Sequence, residues 1–119
     1  MRHRRGPAKL RVMFGTEIAI GPGKAELLEA IAGSGSISES ARRLGMSYRR
    51  AWLLVDTMNR CFREPVVASA TGGSGGGGAQ VTAFGREVLA RYRRLEASVE
   101  RAMDRPLGEF SELLSDRPR

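Results

Sequence analysis

Cysteine and histidine are nearly missing from this chain, which has only Cys61 and His3. A single cysteine rules out an internal disulfide and fits a reducing compartment. One histidine, placed among the basic residues of the N-terminus, leaves a Ser/His/Asp triad or a His/Cys metal centre short of members. Neither an enzyme nor a bound metal or cofactor is expected. Long apolar runs are missing too, so no membrane span is expected. The opening MRHRRGPAKLRVMFG has the charge of a secretion signal without its apolar stretch, which points to a cytoplasmic protein. Lysine is scarce: all but two of the 20 basic residues are arginine, set against 13 acidic ones for a net charge of +7.

Arginine forks onto phosphate and guanine in ways that lysine cannot, so the surplus points to a polyanion such as nucleic acid. A solubilising surface, or the arginine bias of a GC-rich genome, explains the same count. The 119 residues, 41% of them hydrophobic, suit one globular domain with a modest core.

Residues 1–9 read as a flexible basic arm, carrying Arg2, Arg4 and Arg5. Leu10, Val12, Phe14, Ile18 and Ile20 share one parity, which predicts a strand or strand pair with one buried face. KAELLEAIAGSGS then predicts a helix with Leu27, Leu28 and Ile31 inside, stopped between Gly33 and Gly35. Two further helices follow, broken at Gly45, with Ser36 or Ser38 capping the first and Ser47 the second. VVASAT and AQVT read as short strands. Thr82 is placed to cap a last helix from about Ala83 to about Met103, and RPLGEFSELLSDRPR reads as a breaker and a short tail over 105–119.

Ala41, Gly45, Ala51 and Leu54 have the spacing of a helix-turn-helix, supported by Ile37, Leu44 and Met46. A small residue is needed where the first helix crosses the second, and a residue tolerant of positive φ four places later. An ordinary helical hairpin also satisfies that spacing. What favours DNA is the opening of the second helix, Ser47-Tyr48-Arg49-Arg50, a set of donors suited to phosphates and base edges. Arg42 and Arg43 are expected to flank the groove. Trp52, lying among Ala51, Val55 and Met58, is expected in the core.

The tract Gly72, Gly73, Ser74, Gly75, Gly76, Gly77 and Gly78 holds six of the 15 glycines. A phosphate-binding loop would need Lys and Ser/Thr after its last glycine, but Ala79 and a strand follow. A linker would need a second foldable unit, and little more than one helix remains. A hairpin tip is left: a wing, able to bring its backbone close to DNA. Val88, Tyr92, Leu95, Val99 and Met103 mark an apolar seam on the last helix and are the expected dimerisation residues. Phe84, Val88 and Leu89 also pack on the helix's own domain. The expected fold class is mainly α: a winged helix-turn-helix over 10–104 with a small β-hairpin wing and a long dimerisation helix.

On GSISESARRLGMSYRRAWLLVDTMNR, ATGGSGGGGAQVTAFG and the helix after them, the chain resembles the N-terminal domain of the ModE family of molybdate-dependent transcription regulators. The resemblance runs from about residue 10 to about residue 100. It implies a winged helix-turn-helix that binds double-stranded DNA, dimerises through its long terminal helix and represses or activates molybdenum-related operons. The two-fold symmetry of the homodimer expected from the seam then points to an inverted repeat. Wings of that family often carry a basic residue where Ser74 stands, and the arginines of the arm are expected to supply the missing contact. The sequence ends before the family's C-terminal molybdate-binding domains, so effector sensing is expected from a separate molybdate-binding protein or not at all. Two other readings fit the composition: a nucleoid-type binder without sequence preference, and a winged-helix protein-interaction module.

Overall fold

An antiparallel hairpin opens the domain, β1 (Val12–Phe14) and β2 (Glu17–Ile20), joined through Gly15 and Thr16. The computed structural model describes residues 9–70 and 78–117. Three helices follow: α1 (Pro22–Ser34), α2 (Ile37–Arg43) and α3 (Tyr48–Cys61). A second hairpin, β3 (Val67–Ala70) with β4 (Gly78–Val81), leads into α4 (Ala83–Ser111). This is a mainly helical winged helix-turn-helix.

Leu27, Leu28 and Ile31 of α1 form the centre of the core, met by Ala41 from α2 and by Ala51, Val55 and Met58 from α3. Val66, Val67, Ala79 and Val81 close it from the wing, and Tyr92 from α4. The α3 residues recur at intervals of four and three, so a single stripe of that helix faces inward.

Three expectations need correction. Phe14 is 64% exposed and does not share a buried face with Ile20. Val12 pairs with Ile20 but Met13 pairs with Ile18, so Ala19 is an extra residue in β2. One inserted residue exchanges the two faces of a strand, which breaks the parity read from sequence. Trp52 is 47% exposed rather than core. It follows Ala51 by roughly 100° around the helix, which carries it off the buried stripe. Finally, α4 does not stop near Met103 but runs through Pro106 to Ser111.

Gly85 shows why α4 begins where it does. A Cβ there would meet the Val66 carbonyl oxygen at 2.2 Å and Val81 Cγ1 at 2.8 Å, so helix and wing approach more closely than any side chain permits. Thr82 secures the same junction. Its hydroxyl accepts the Gly85 N–H (2.8 Å) and donates to the Pro65 carbonyl (2.7 Å), while its own N–H donates to the Val66 carbonyl (3.0 Å). This is the predicted N-cap, extended into a tie between α4 and the start of the wing.

Candidate nucleic-acid interface

The turn between α2 and α3 is built as its spacing predicts. Gly45 has φ +70°, and a Cβ added there would meet nothing within 4 Å, so backbone conformation rather than space selects glycine. The Met46 N–H donates to the Ala41 carbonyl (2.9 Å) and closes the turn. Ser36 caps α2 by accepting the Glu39 N–H (2.9 Å), and Ser47 caps α3 by accepting the Arg50 N–H (3.0 Å). Capping uses the acceptor side of the Ser47 hydroxyl and leaves its proton free to donate.

Ser47, Tyr48, Arg49 and Arg50 are all exposed at the opening of α3, Tyr48 by 55%. Among the described residues, Arg49 and Arg50 have no carboxylate partner. Arg42 and Arg43 are also exposed but differ in state: both guanidiniums bind Glu39, Arg43 Nε at 3.0 Å from Oε2. Donation from Arg43 and then Arg42 holds the Glu39 carboxyl below its usual range. These pairs lie in solvent, where such contacts are weak, so a phosphate can compete for either arginine.

The wing is fixed to this unit at two points. Asn59, on the wing side of α3, accepts the N–H groups of Val66 (2.8 Å) and Val67 (3.2 Å) on Oδ1 and donates from Nδ2 to the Val67 carbonyl (3.1 Å). On the other strand the Ala79 N–H donates to the Gly35 carbonyl (3.1 Å) in the turn between α1 and α2. Gly78 belongs to β4, paired with Ala70 and with its Cα beside Gly35, so it sits at the base of the hairpin. Gly72, Gly73, Ser74, Gly75, Gly76 and Gly77 lie outside the described residues, as do Arg2, Arg4 and Arg5.

The helix-turn-helix and the wing base therefore form one surface, on which α3 lies beside the wing. The seam residues of α4 divide. Tyr92 is 3% exposed and its hydroxyl donates to the Leu10 carbonyl (2.7 Å), so it packs inside its own domain. Val88 likewise packs against the core, with Phe84 and Leu89. Leu95 is 44% exposed, and Val99 and Met103 are partly covered on the stretch of helix beyond.

Asn59 and Gly85 carry no mark in the sequence that singles them out by role. Glu39 does leave a signal there, three residues after the capping Ser36 and three and four before Arg42 and Arg43. Among the described residues, no group of His, Cys, Asp or Glu could hold a metal ion, and no helix is long and apolar enough to cross a membrane.

No family model matches the sequence. Individual relatives do. The chain is 41% identical over 97 residues to the molybdenum transport protein ModE of Azotobacter vinelandii, covering 80% of this chain and 36% of that protein. It is 41% identical over 83 residues to the DNA-binding transcriptional dual regulator ModE of Escherichia coli (strain K12), covering 70% of this chain and 32% of the relative. The molybdenum-pterin-binding protein MopA of Rhodobacter capsulatus is 42% identical over 84 residues, 71% of this chain and 32% of the relative. The chain thus spans about a third of the length of these relatives. By sequence, it is a ModE-type N-terminal domain.

Proposed function

We propose that this domain is a sequence-specific DNA-binding unit of a cytoplasmic transcription regulator acting on molybdenum-related genes. The observation that carries the reading is the opening of α3, where Arg49 and Arg50 stand exposed and, among the described residues, without carboxylate partners beside a wing anchored to the same helix. In a helix-turn-helix this end of the second helix enters the major groove. Arg50 and Arg49 supply forks for guanine, while Ser47 and Tyr48 supply hydroxyl donors for phosphates. Arg42 and Arg43 flank the groove after exchanging Glu39 for phosphate, and the glycine tract lies along the backbone or minor groove. The relatedness to ModE proteins, one of them named as a DNA-binding transcriptional dual regulator, supports the same reading.

The domain acts as a homodimer in this proposal, joined along α4 through Leu95, Val99 and Met103. A two-fold pair presents its recognition helices to half-sites about 34 Å apart, or a multiple of that, so the operator is an inverted repeat.

Selection of bound duplexes from a random pool at near-physiological salt tests the reading. An enriched inverted repeat supports it. Binding without enrichment replaces it with a sequence-blind binder, and no recovery removes DNA as the ligand of this domain. In the same assay Arg50→Ala is expected to lose about 1–3 kcal/mol of discrimination between cognate and scrambled duplexes. Unchanged discrimination would take Arg50 out of the base-reading set.

A further inference from the structure

We propose that the cleft between α3 and the wing seats the sugar–phosphate backbone of one DNA strand, with Trp52 and Tyr48 as its contact surface. The inference rests on the reading of this domain as a DNA binder and adds to it a site away from the arginines.

From α3, Tyr48, Trp52, Val55 and Asn59 line this cleft, at spacings of four, three and four that define the wing-facing flank of the helix. Ser69 of β3 and Ser38 of α2 stand on its other walls. The cleft measures about 430 Å³, and none of the described residues lining it is charged. Its two aromatic rings are largely in solvent, Trp52 at 47% and Tyr48 at 55% exposure. Amphipathic rings of this kind, with an apolar body and a polar tip, suit an interface that is apolar on one side and wet on the other.

The position names the occupant. A helix in the major groove has a strand's backbone along each flank, and the cleft runs along the flank of α3 that faces the base of the wing, where one of those backbones passes. Chemically the match is close. Deoxyribose offers apolar C–H edges to the faces of Trp52 and Tyr48, and the phosphate offers acceptors to Trp52 Nε1–H, the Tyr48 hydroxyl and the hydroxyls of Ser38 and Ser69. With no carboxylate on the described walls, a phosphate meets no repulsion there. Since the donors are neutral, the contact releases no counterions, and its contribution is blind to both base sequence and salt.

Trp52 is the chain's only tryptophan, so its fluorescence reports on the cleft without a label. The experiment saturates the unmodified protein with a bound duplex and measures acrylamide quenching, then compares Trp52→Ala and Trp52→Phe in binding titrations over a range of salt. Quenching is expected to fall in the complex. Trp52→Ala is expected to weaken cognate and scrambled duplexes alike by about tenfold, through loss of the ring's packing area and of its N–H donor, with an unchanged salt slope. Trp52→Phe, which keeps a ring, is expected to recover most of that loss. Binding that leaves Trp52 as accessible as in the free protein overturns the cleft proposal alone, whether or not the variants fold. A Trp52→Ala variant that binds like the unmodified protein overturns it as well. So does one that relaxes discrimination between the duplexes, because Trp52 would then touch bases. Failure of the unmodified protein to bind any duplex overturns the DNA reading itself, and this proposal with it.

Discussion

Between Ala83 and Arg93, α4 lies on the domain; from Leu95 to Ser111 it runs past it. The near half is fastened at every turn. Gly85 sits against the Val66 backbone, Tyr92 reaches the Leu10 carbonyl, and Arg93 forks onto Glu29 of α1 (2.8 Å) while also holding Glu96 (2.8 Å). In the far half Leu95 and Phe110 are exposed on the same helix. The molecule is 54 Å long and 29 Å in each other direction, whereas 29 helical residues span about 44 Å. The overhang follows from those lengths. An apolar repeat shows which side chains call for cover, and the reach of the domain decides which of them receive it from their own chain.

Gly85→Ala is the change expected to hurt the near half most. The added methyl would meet a backbone oxygen and cannot be relieved by turning a side chain, so the loss should be about 2–3 kcal/mol. Chemical denaturation at low protein concentration measures it. A loss below about 0.5 kcal/mol, the range of ordinary surface changes, would mean that α4 and the wing can separate without cost, and the contrast between the halves would collapse.

Tyr92→Phe comes next, at about 1 kcal/mol for the hydrogen bond to Leu10. It also carries a pH signature. Burial, then the neighbouring Glu96 carboxylate, push the Tyr92 hydroxyl up to about 12 from its ordinary value of 10.0. The fold therefore favours the protonated form, and that stability is fully present below pH 10 and lost as pH rises through 12. Unfolding curves across this window should fall more steeply for the unmodified protein than for Tyr92→Phe. Parallel curves would place the hydroxyl in solvent, in conflict with its burial.

The far half should answer differently. Leu95→Gln with Val99→Gln is expected to change the stability of the dilute domain by no more than about 0.5 kcal/mol. Under the dimer proposal, however, the pair should abolish the dependence of melting temperature on protein concentration. Sedimentation of the variant and the unmodified protein checks the same point. Identical mass for both would mean that the seam on the far half is not where two copies meet.

How much of this is legible in the sequence depends on the range of the interaction. The turn at Gly45 and the caps at Ser36, Ser47 and Thr82 are set by neighbours within about four residues, and the sequence displays them. Trp52 misleads because an apolar neighbourhood in sequence is not one in space; the 100° step between Ala51 and Trp52 already separates the two. The glycine at 85 answers to backbone packed against it from elsewhere in the fold, that of Val66. No local pattern announces such contacts. At the candidate site the same division holds. The donors Ser47 to Arg50 can be read from sequence, and so can the pairing of Glu39 with Arg42 and Arg43 at three and four residues, whereas the Asn59 clamp depends on where the wing docks.

Pro106 offers the smallest expected effect and the sharpest view of the far half. Proline has no N–H and its ring crowds the carbonyl four residues back, here that of Ala102, so it ordinarily ends or kinks a helix. Yet α4 continues through it to Ser111. Within the packed half such a residue would weaken the whole domain. Beyond Leu95 the helix can lose its last turns without opening the core, so the local defect and the global stability are separable. Pro106→Ala is accordingly expected to raise amide-exchange protection at residues 107–111 while leaving the unfolding free energy within about 0.5 kcal/mol. A larger gain in global stability would show that the far half is coupled to the core, and that the two halves of α4 fold as one unit.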